Sequence, residues 1–255
     1  MIRTENTINE KDFIDQFINE VCNALPGTTE YIHEVLQARG FLLDKKADGD
    51  FVLDNFSTKE DKEKYHEYTS QNNINIYKMF QKGEIKSESC WKDKKWKSLF
   101  ASNRMHGDRV DVFKLEPFIA CYIKPLALIG VHTCSSCDRW QKDEHINDEM
   151  HIIFSDRYSM LWLRVLNEHF DKLQDFQIPF VYSNGQKCII PIHNQRLEIY
   201  KKLNFAGKII YKNYSNLYSI KHKVITVLKG KGKNGKPNNY IYELLKDAYI
   251  NVMGN

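Results

Sequence analysis

The chain has 255 residues, of which 42% are hydrophobic and 27% charged, and it carries a formal net charge of +4. These values are typical of a globular protein and argue against an intrinsically disordered chain. Its apolar runs are shorter than the roughly 18 residues of a membrane-spanning helix, and segment 1–6 lacks the apolar core of a secretion signal. We therefore expect a soluble cytoplasmic protein without membrane association, in which the six cysteines are reduced thiols.

The first part of the chain shows mainly helical hydrophobic spacing. Thr28 is a candidate N-cap for the second predicted helix, and Gly40 a candidate C-cap. The predicted elements are a helix over 7–25, a helix over 28–40, a hairpin of strands 41–43 and 51–53, and a helix over 57–80 that begins at Ser57. We expect residues 1–83 to form a mainly helical N-terminal region with a short hairpin.

The middle of the chain is harder to assign, because tryptophans and lysines alternate within residues 84–111. After it comes nearly continuous apolar sequence, in which Pro125 should break or kink a helix. The predicted elements are a buried helix over 112–129, a strand over 131–134, a loop over 135–149, a strand over 150–154, and a helix over 156–173 that Asp156 caps.

The last part combines hairpins and helices. Asn184-Gly185 between two apolar runs is a strong signal for a β-hairpin. The predicted elements are strands 178–182 and 187–192, a helix over 194–205, strands 209–211 and 224–228, a loop over 229–239, and a helix over 240–252. Without regular strand-helix alternation, this order favours an α+β fold, with residues 84–255 as an α+β C-terminal domain.

Two thiols, an imidazole and a carboxylate crowd the segment 131–140. A catalytic site there would use His132, Cys134, Cys137 and Asp138. The Cys-x-x-C spacing also fits half of a zinc site, for which His132 and His151 are the candidate further ligands. The alternative is that both thiols pack as small hydrophobic side chains, in which case the protein needs no cofactor.

A second polar cluster occupies residues 103–111 around a glycine. His106 and Asp108 could act as an acid-base pair, and Arg104 and Arg109 could bind a phosphate or carboxylate group. The alternative is a salt-bridged loop ahead of the buried helix.

Three further features could bind anions. Arg157 stands at the predicted start of a helix, and the glycine-rich segment 230–236 carries Lys231, Lys233 and Lys236. Neither phosphate-loop nor dinucleotide-binding motifs occur, and the standard motifs of serine hydrolases and zinc proteases are missing as well.

The sequence therefore favours binding over catalysis. Aromatic residues make up 13% of the chain and are interleaved with lysines, as at protein interfaces. Arginine is scarce beside lysine, which indicates AT-rich codons and fits a phage or mobile element. We expect a protein that inhibits a host nuclease or defence complex by protein-protein contact. The alternative is an enzyme, with or without zinc, that acts on nucleotides or nucleic acid through a Cys/His/Asp site at 132–138. Nucleic-acid contact through the Lys-rich C-terminal segment and homo-oligomerisation are further possibilities.

Overall fold

The computed structural model describes residues 9–71, 74–81, 111–138, 149–154, 156–183, 187–192, 195–230 and 236–254. The helices are α1 Glu10–Val21, α2 Thr29–Arg39, α3 Lys59–Thr69, α4 Ile76–Met79, α5 Ala120–Leu128, α6 Arg157–His169, α7 Arg196–Lys212, α8 Tyr214–Gly230 and α9 Asn238–Met253. Two 3₁₀ helices span Val112–Lys114 and Asp171–Phe176. The strands are β1 Leu43–Lys45, β2 Phe51–Leu53, β3 Thr133–Cys137, β4 Glu149–Phe154, β5 Val181–Tyr182 and β6 Lys187–Pro191.

Two small antiparallel sheets accompany the helices, so the predicted α+β class is confirmed. Strands β1 and β2 form a hairpin, and the second sheet has the order β3-β4-β6-β5. In this sheet Met150, Ile152 and Phe154 are buried, while the alternate residues of β4 are half-buried. The pleat therefore gives the sheet one core face and one outer face.

Helix α2 begins and ends with local signals that the sequence contains. Thr28 caps α2, since its side-chain oxygen accepts from the backbone N–H of Tyr31 at 3.1 Å. Gly40 ends the same helix in the left-handed conformation, with φ of 115°. Both predictions are confirmed. The predicted third helix is shorter than expected, because α3 starts after Thr58 and ends at Thr69.

The predicted strands 209–211 and 224–228 are wrong. Residues 209–211 belong to α7, and residues 224–228 belong to α8. In α7 the buried residues Ile199, Leu203, Ala206 and Ile210 recur at helical spacing, and this helix packs against α5. The packing of a helical face outweighs the strand preference of β-branched residues.

The single buried helix predicted over 112–129 is also wrong in part. The chain forms a 3₁₀ helix over Val112–Lys114, and α5 begins only at Ala120. Pro117 separates them, because a proline disfavours helical backbone at the residue before it. Pro125 lies inside α5 without ending it, and all nine residues of α5 are buried.

One cluster of buried side chains runs through the described residues, from Phe13 in α1 to Tyr249 in α9. It draws on both predicted regions, since α1 packs against α7 and α2 packs against α5. The division into residues 1–83 and 84–255 stays a prediction. No helix in the described part of the chain is both long and apolar enough to cross a bilayer.

Candidate functional site

Several predicted site residues lie outside the described residues. They are Arg104, His106, Asp108, Arg109, Lys231 and Lys233. The backbone of Cys134 and Cys137 belongs to β3, but their side chains also lie outside the described part. Their predicted roles stay predictions.

Asp138 and His132 are described, and both are buried, at 1% exposure. The Asp138 carboxylate accepts from the backbone N–H of Phe118 at 2.9 Å, and its carbonyl accepts from the Tyr200 hydroxyl at 2.5 Å. The backbone N–H of His132 donates to Ser159 Oγ at 2.9 Å. These contacts fix the backbone at the two ends of β3, and a catalytic role for either side chain stays a prediction.

The backbones of two residues among the candidate zinc ligands are paired in the sheet. The strand register places Cys137 directly opposite His151 in the antiparallel pair of β3 and β4. Among the residues whose side chains the structure describes, no group of three or more potential ligands could hold a metal ion.

The other described thiols are poor nucleophiles. Cys121 and Cys188 are buried and carry no disulfide. Burial raises the pKa of the Cys121 thiol to about 12, and it raises the pKa of Cys188 further. Both thiols are therefore protonated at neutral pH, in which form they do not attack electrophiles.

The described anion-binding candidates Arg157 and Lys236 both lie near the first turn of α9. Arg157, the first residue of α6, approaches Asn238 at 3.5 Å and lies over the Tyr158 ring. Lys236 lies over the Tyr240 ring, with Nζ 5.6 Å from its centroid. Asp156 caps α6 as predicted, because its carboxylate accepts from the N–H of Ser159 at 2.8 Å.

A cleft of about 160 Å³ lies between α5, the end of α6, the 3₁₀ helix after it, the approach to β5, and α7. Four aromatic rings line it together with aliphatic and amide side chains. The lining residues are Tyr122, Asn167, Glu168, Leu173, Phe176, Gln177, Ile178, Phe180, Tyr182 and Ala206. Phe180 packs on Tyr122 with centroids 6.3 Å apart and on Tyr182 at 6.1 Å, so the rings form one continuous wall.

Polar and aromatic side chains share the lining of this cleft. The Tyr122 hydroxyl is fully buried and has no hydrogen-bond partner among the described residues. Burial, with smaller contributions from Tyr182 and Cys188, raises the pKa of Tyr122 well above its ordinary value. The Asn167 amide donates to the Tyr182 hydroxyl at 2.9 Å, which fixes the far side of the wall. The Tyr122 hydroxyl is therefore neutral and enclosed by protein.

At the mouth of the cleft, Glu168 belongs to a network that joins α6 to α9. The Tyr242 hydroxyl donates to Glu168 and lies 3.0 Å from His169 Nε2, and Arg164 Nε donates to Glu168 at 2.7 Å. Partial burial raises the pKa of Glu168, but hydrogen bonds from Tyr242 and Arg164 outweigh it and hold that pKa below its ordinary value. This carboxylate is therefore ionised at neutral pH.

Strand β5 borders the cleft and forms one edge of the four-stranded sheet. Phe180 and Tyr182 line the cleft, whereas Val181 between them is 54% exposed. The register places Val181 opposite Ile189 and Ile189 opposite His151, so the three lie in one row across the outer face. The cleft and this exposed valine together form the candidate site.

None of the cleft residues belongs to a motif that predicts a functional site. Their chain positions run from 122 in α5 to 206 in α7, so no local motif unites them. The one available signal was the group of aromatics Phe176, Phe180 and Tyr182, which surrounds a predicted edge strand.

Comparisons with known proteins do not identify a family for this chain. No protein-family model matches the chain, and no curated protein or solved structure shows significant similarity to it.

Proposed function

We propose that the protein acts by binding another protein, and that it does so at the cleft and strand β5. The observation that supports this is the exposed Val181 at the sheet edge, directly beside the aromatic cleft. An extended segment of the partner would pair with β5 and insert one side chain into the cleft.

Strand addition suits this edge for two reasons. The backbone of an edge strand offers N–H and C=O groups to an incoming segment, and this main-chain pairing supplies affinity whatever the partner's sequence. Alternate side chains of the added segment face opposite sides of the sheet, so one set faces the cleft and the other the row of Val181 and Ile189. The cleft would then select among segments by side chain.

The hydrogen bonds of the described candidate catalytic residues also agree with a binding function. Asp138 and the backbone of His132 fix the chain around β3, and Asp156 caps α6. Their hydrogen bonds go to the protein itself. The cleft, in contrast, is lined by the half-buried aromatic side chains Phe176, Phe180 and Tyr182.

A displayed library of random 12-residue peptides tests this proposal. Peptides selected on the purified protein should lose at least tenfold in affinity for Val181→Lys, because a lysine at the edge opposes strand addition. The matched control is Val52→Lys in β2, where the valine is 38% exposed but lies in the other sheet. Peptides that bind Val181→Lys as tightly as the wild type would overturn the proposal.

More specifically, we propose that the protein inhibits a nuclease or another defence complex in the cytoplasm of a host. In this proposal it originates from a phage or a mobile element. Expression in a bacterium that restricts phage growth should then raise the plaque count. Val181→Lys should abolish the effect. Equal plaque counts with both proteins would argue against this form.

The register of Cys137 opposite His151 favours a second function, an enzyme that acts on nucleotides or nucleic acid with zinc at residues 132–138. Elemental analysis of the purified protein, with Cys134→Ser and Cys137→Ser beside it, separates the two functions. One zinc per chain that both substitutions remove would support the enzyme. Metal-free protein whose peptide binding survives both substitutions would support the binding protein.

A further inference from the structure

We infer that the backbone N–H and C=O groups of Tyr182 bind one residue of a partner segment that runs antiparallel to β5. This inference rests on the proposed function and adds the atoms and the register of the pairing. It follows from the hydrogen bonds between β5 and β6 and from the position of β5 at the end of its sheet.

The hydrogen bonds of the β5–β6 hairpin determine where each backbone group of β5 points. Tyr182 lies opposite Cys188, and one residue further the Ser183 N–H donates to the Lys187 carbonyl at 3.0 Å. In an antiparallel pair of strands, hydrogen-bonded and non-hydrogen-bonded residue pairs alternate. Val181 is therefore bonded to β6, whereas the N–H and C=O groups of Tyr182 point away from β6.

The side of β5 that faces away from β6 is an edge of the sheet. Strand β5 comes last in the order β3-β4-β6-β5, and the Tyr182 backbone has no hydrogen-bond partner among the described residues. The Phe180 carbonyl points to the same edge, while the Phe180 N–H donates to the Ile178 carbonyl at 2.8 Å. Residues 180 to 182 thus offer one donor, the Tyr182 N–H, and two acceptors, the carbonyls of Phe180 and Tyr182.

An antiparallel partner segment satisfies both Tyr182 groups with a single residue, which we call the anchor residue. In the hydrogen-bonded pairs of antiparallel strands, the two opposite residues exchange both bonds. A parallel segment would instead use two different residues for the same two groups. The strand pairs of the two described sheets are all antiparallel, and this pairing is the more stable one for each residue.

The register also determines what kind of segment fits. The anchor residue must have a backbone N–H, which excludes proline at that position. The residue that follows it lies opposite Val181, which is 54% exposed and belongs to the same row as Ile189. Apolar side chains in directly opposite positions stabilise a strand pair. The partner segment is therefore extended, with an anchor residue other than proline and an apolar residue after it.

Amide hydrogen exchange, measured by NMR on the full chain, tests the role of the Tyr182 backbone. In the free protein the Tyr182 amide should exchange at least about tenfold faster than the Val181 amide, because only Val181 is bonded to β6. Saturation with a selected peptide should slow the Tyr182 amide at least about tenfold. The amides of β2, in the other sheet, are the control and should keep their rates. Equal rates for Tyr182 and Val181 in the free protein, or a Tyr182 rate that the peptide leaves unchanged, would overturn the inference.

Methylation of the peptide backbone tests the register. Each N–H of a selected peptide is replaced in turn by N–CH₃, which removes one donor. Methylation should weaken binding about tenfold or more at the anchor residue and two residues after it, opposite Phe180. The residue between them is the matched control, because its N–H faces away from β5, and its methylation should change the affinity less than about threefold.

The two proposals fail in different ways. Peptides that depend on Val181 but tolerate methylation at every position would overturn the inference and leave the edge-binding proposal standing. The same holds for a nuclear Overhauser effect pattern of parallel strands between peptide and β5. Peptides that bind Val181→Lys as tightly as the wild type would overturn both proposals, because no strand is then added at this edge.

Discussion

Two buried tyrosines differ in the hydrogen bonding of their hydroxyl groups. Tyr122 and Tyr200 both have 0% exposure. The Tyr200 hydroxyl donates to the Asp138 carbonyl at 2.5 Å, and its ring stacks on Phe118 with centroids 4.5 Å apart. The Tyr122 hydroxyl has no partner among the described residues. One hydroxyl therefore stabilises the fold, while the other is buried without a hydrogen bond among the described residues.

We predict opposite effects of removing the two hydroxyls. Tyr200→Phe should lower the free energy of unfolding by about 1 to 2 kcal/mol, because it leaves a buried carbonyl with one contact fewer. Tyr122→Phe should leave that free energy unchanged or raise it by up to about 1 kcal/mol, since no hydrogen bond is lost. Urea denaturation of both variants measures the difference. An equal loss of stability in both would mean that the Tyr122 hydroxyl has a structural partner.

For individual residues, the sequence predicts hydrogen bonds between neighbours in the chain. Thr28 and Asp156 cap their helices as expected, because an N-cap bonds within three residues along the chain. The environment of Tyr122 could not be predicted in this way. The side chains around it come from residues 167 to 206, and only the fold brings them near.

At the scale of the elements, Gly40 brings the end of α2 close to the start of α5. A Cβ atom built on Gly40 would lie 2.9 Å from the Ala120 Cβ and 2.8 Å from the Ala120 carbonyl carbon. Gly40 also has a positive φ, of 115°. The end of one helix and the start of the other therefore depend on the absence of a side chain here.

We predict that Gly40→Ala destabilises the protein by about 2 to 4 kcal/mol, through backbone strain and overpacking together. Gly49→Ala separates the two causes. Gly49, in the turn between β1 and β2, has φ of 95°, but its Cβ would have no neighbour within 4 Å. This control should cost only the backbone strain, about 1 kcal/mol. Thermal unfolding of the two variants gives the comparison, and equal costs would contradict the close approach.

The elements that the sequence predicted incorrectly also have a physical explanation. The β-branched residues near 209–211 and 224–228 favour strands locally, but helices α7 and α8 bury Ile210 and Val224 against neighbouring helices. Such packing between elements distant in the chain outweighs intrinsic preference. Hairpins with short turns and capped helices were predictable because their signals are local.

For the whole molecule, a buried ion pair joins the N-terminal region to the centre of the chain. Lys124 Nζ in α5 lies 3.1 Å from the Asp61 carboxylate in α3, and the two side chains are 1% and 2% exposed. Asp61 also accepts from the backbone N–H of Val112 at 2.7 Å. Residues on both sides of the predicted boundary at 83 thus share one buried contact.

We predict that Lys124→Met costs about 3 to 5 kcal/mol of stability, because it leaves a buried carboxylate without its cation. Lys59→Met is the control, since the exposed Lys59–Glu63 pair contributes at most about 0.5 kcal/mol. Hydrogen exchange in native conditions should show the same loss for amides of α2 and of α6. A loss confined to residues 1–83 would instead support two independently folding regions.

Buried and half-buried residues alternate along β4, and this alternation determines how the strand tolerates insertions. Met150, Ile152 and Phe154 face the interior while His151 and Ile153 face outward. Inserting a single amino acid within this strand would exchange the two sets and place an imidazole among aliphatic side chains. Insertions of two should therefore be accommodated far better than insertions of one, and a laboratory library of such variants should show this parity.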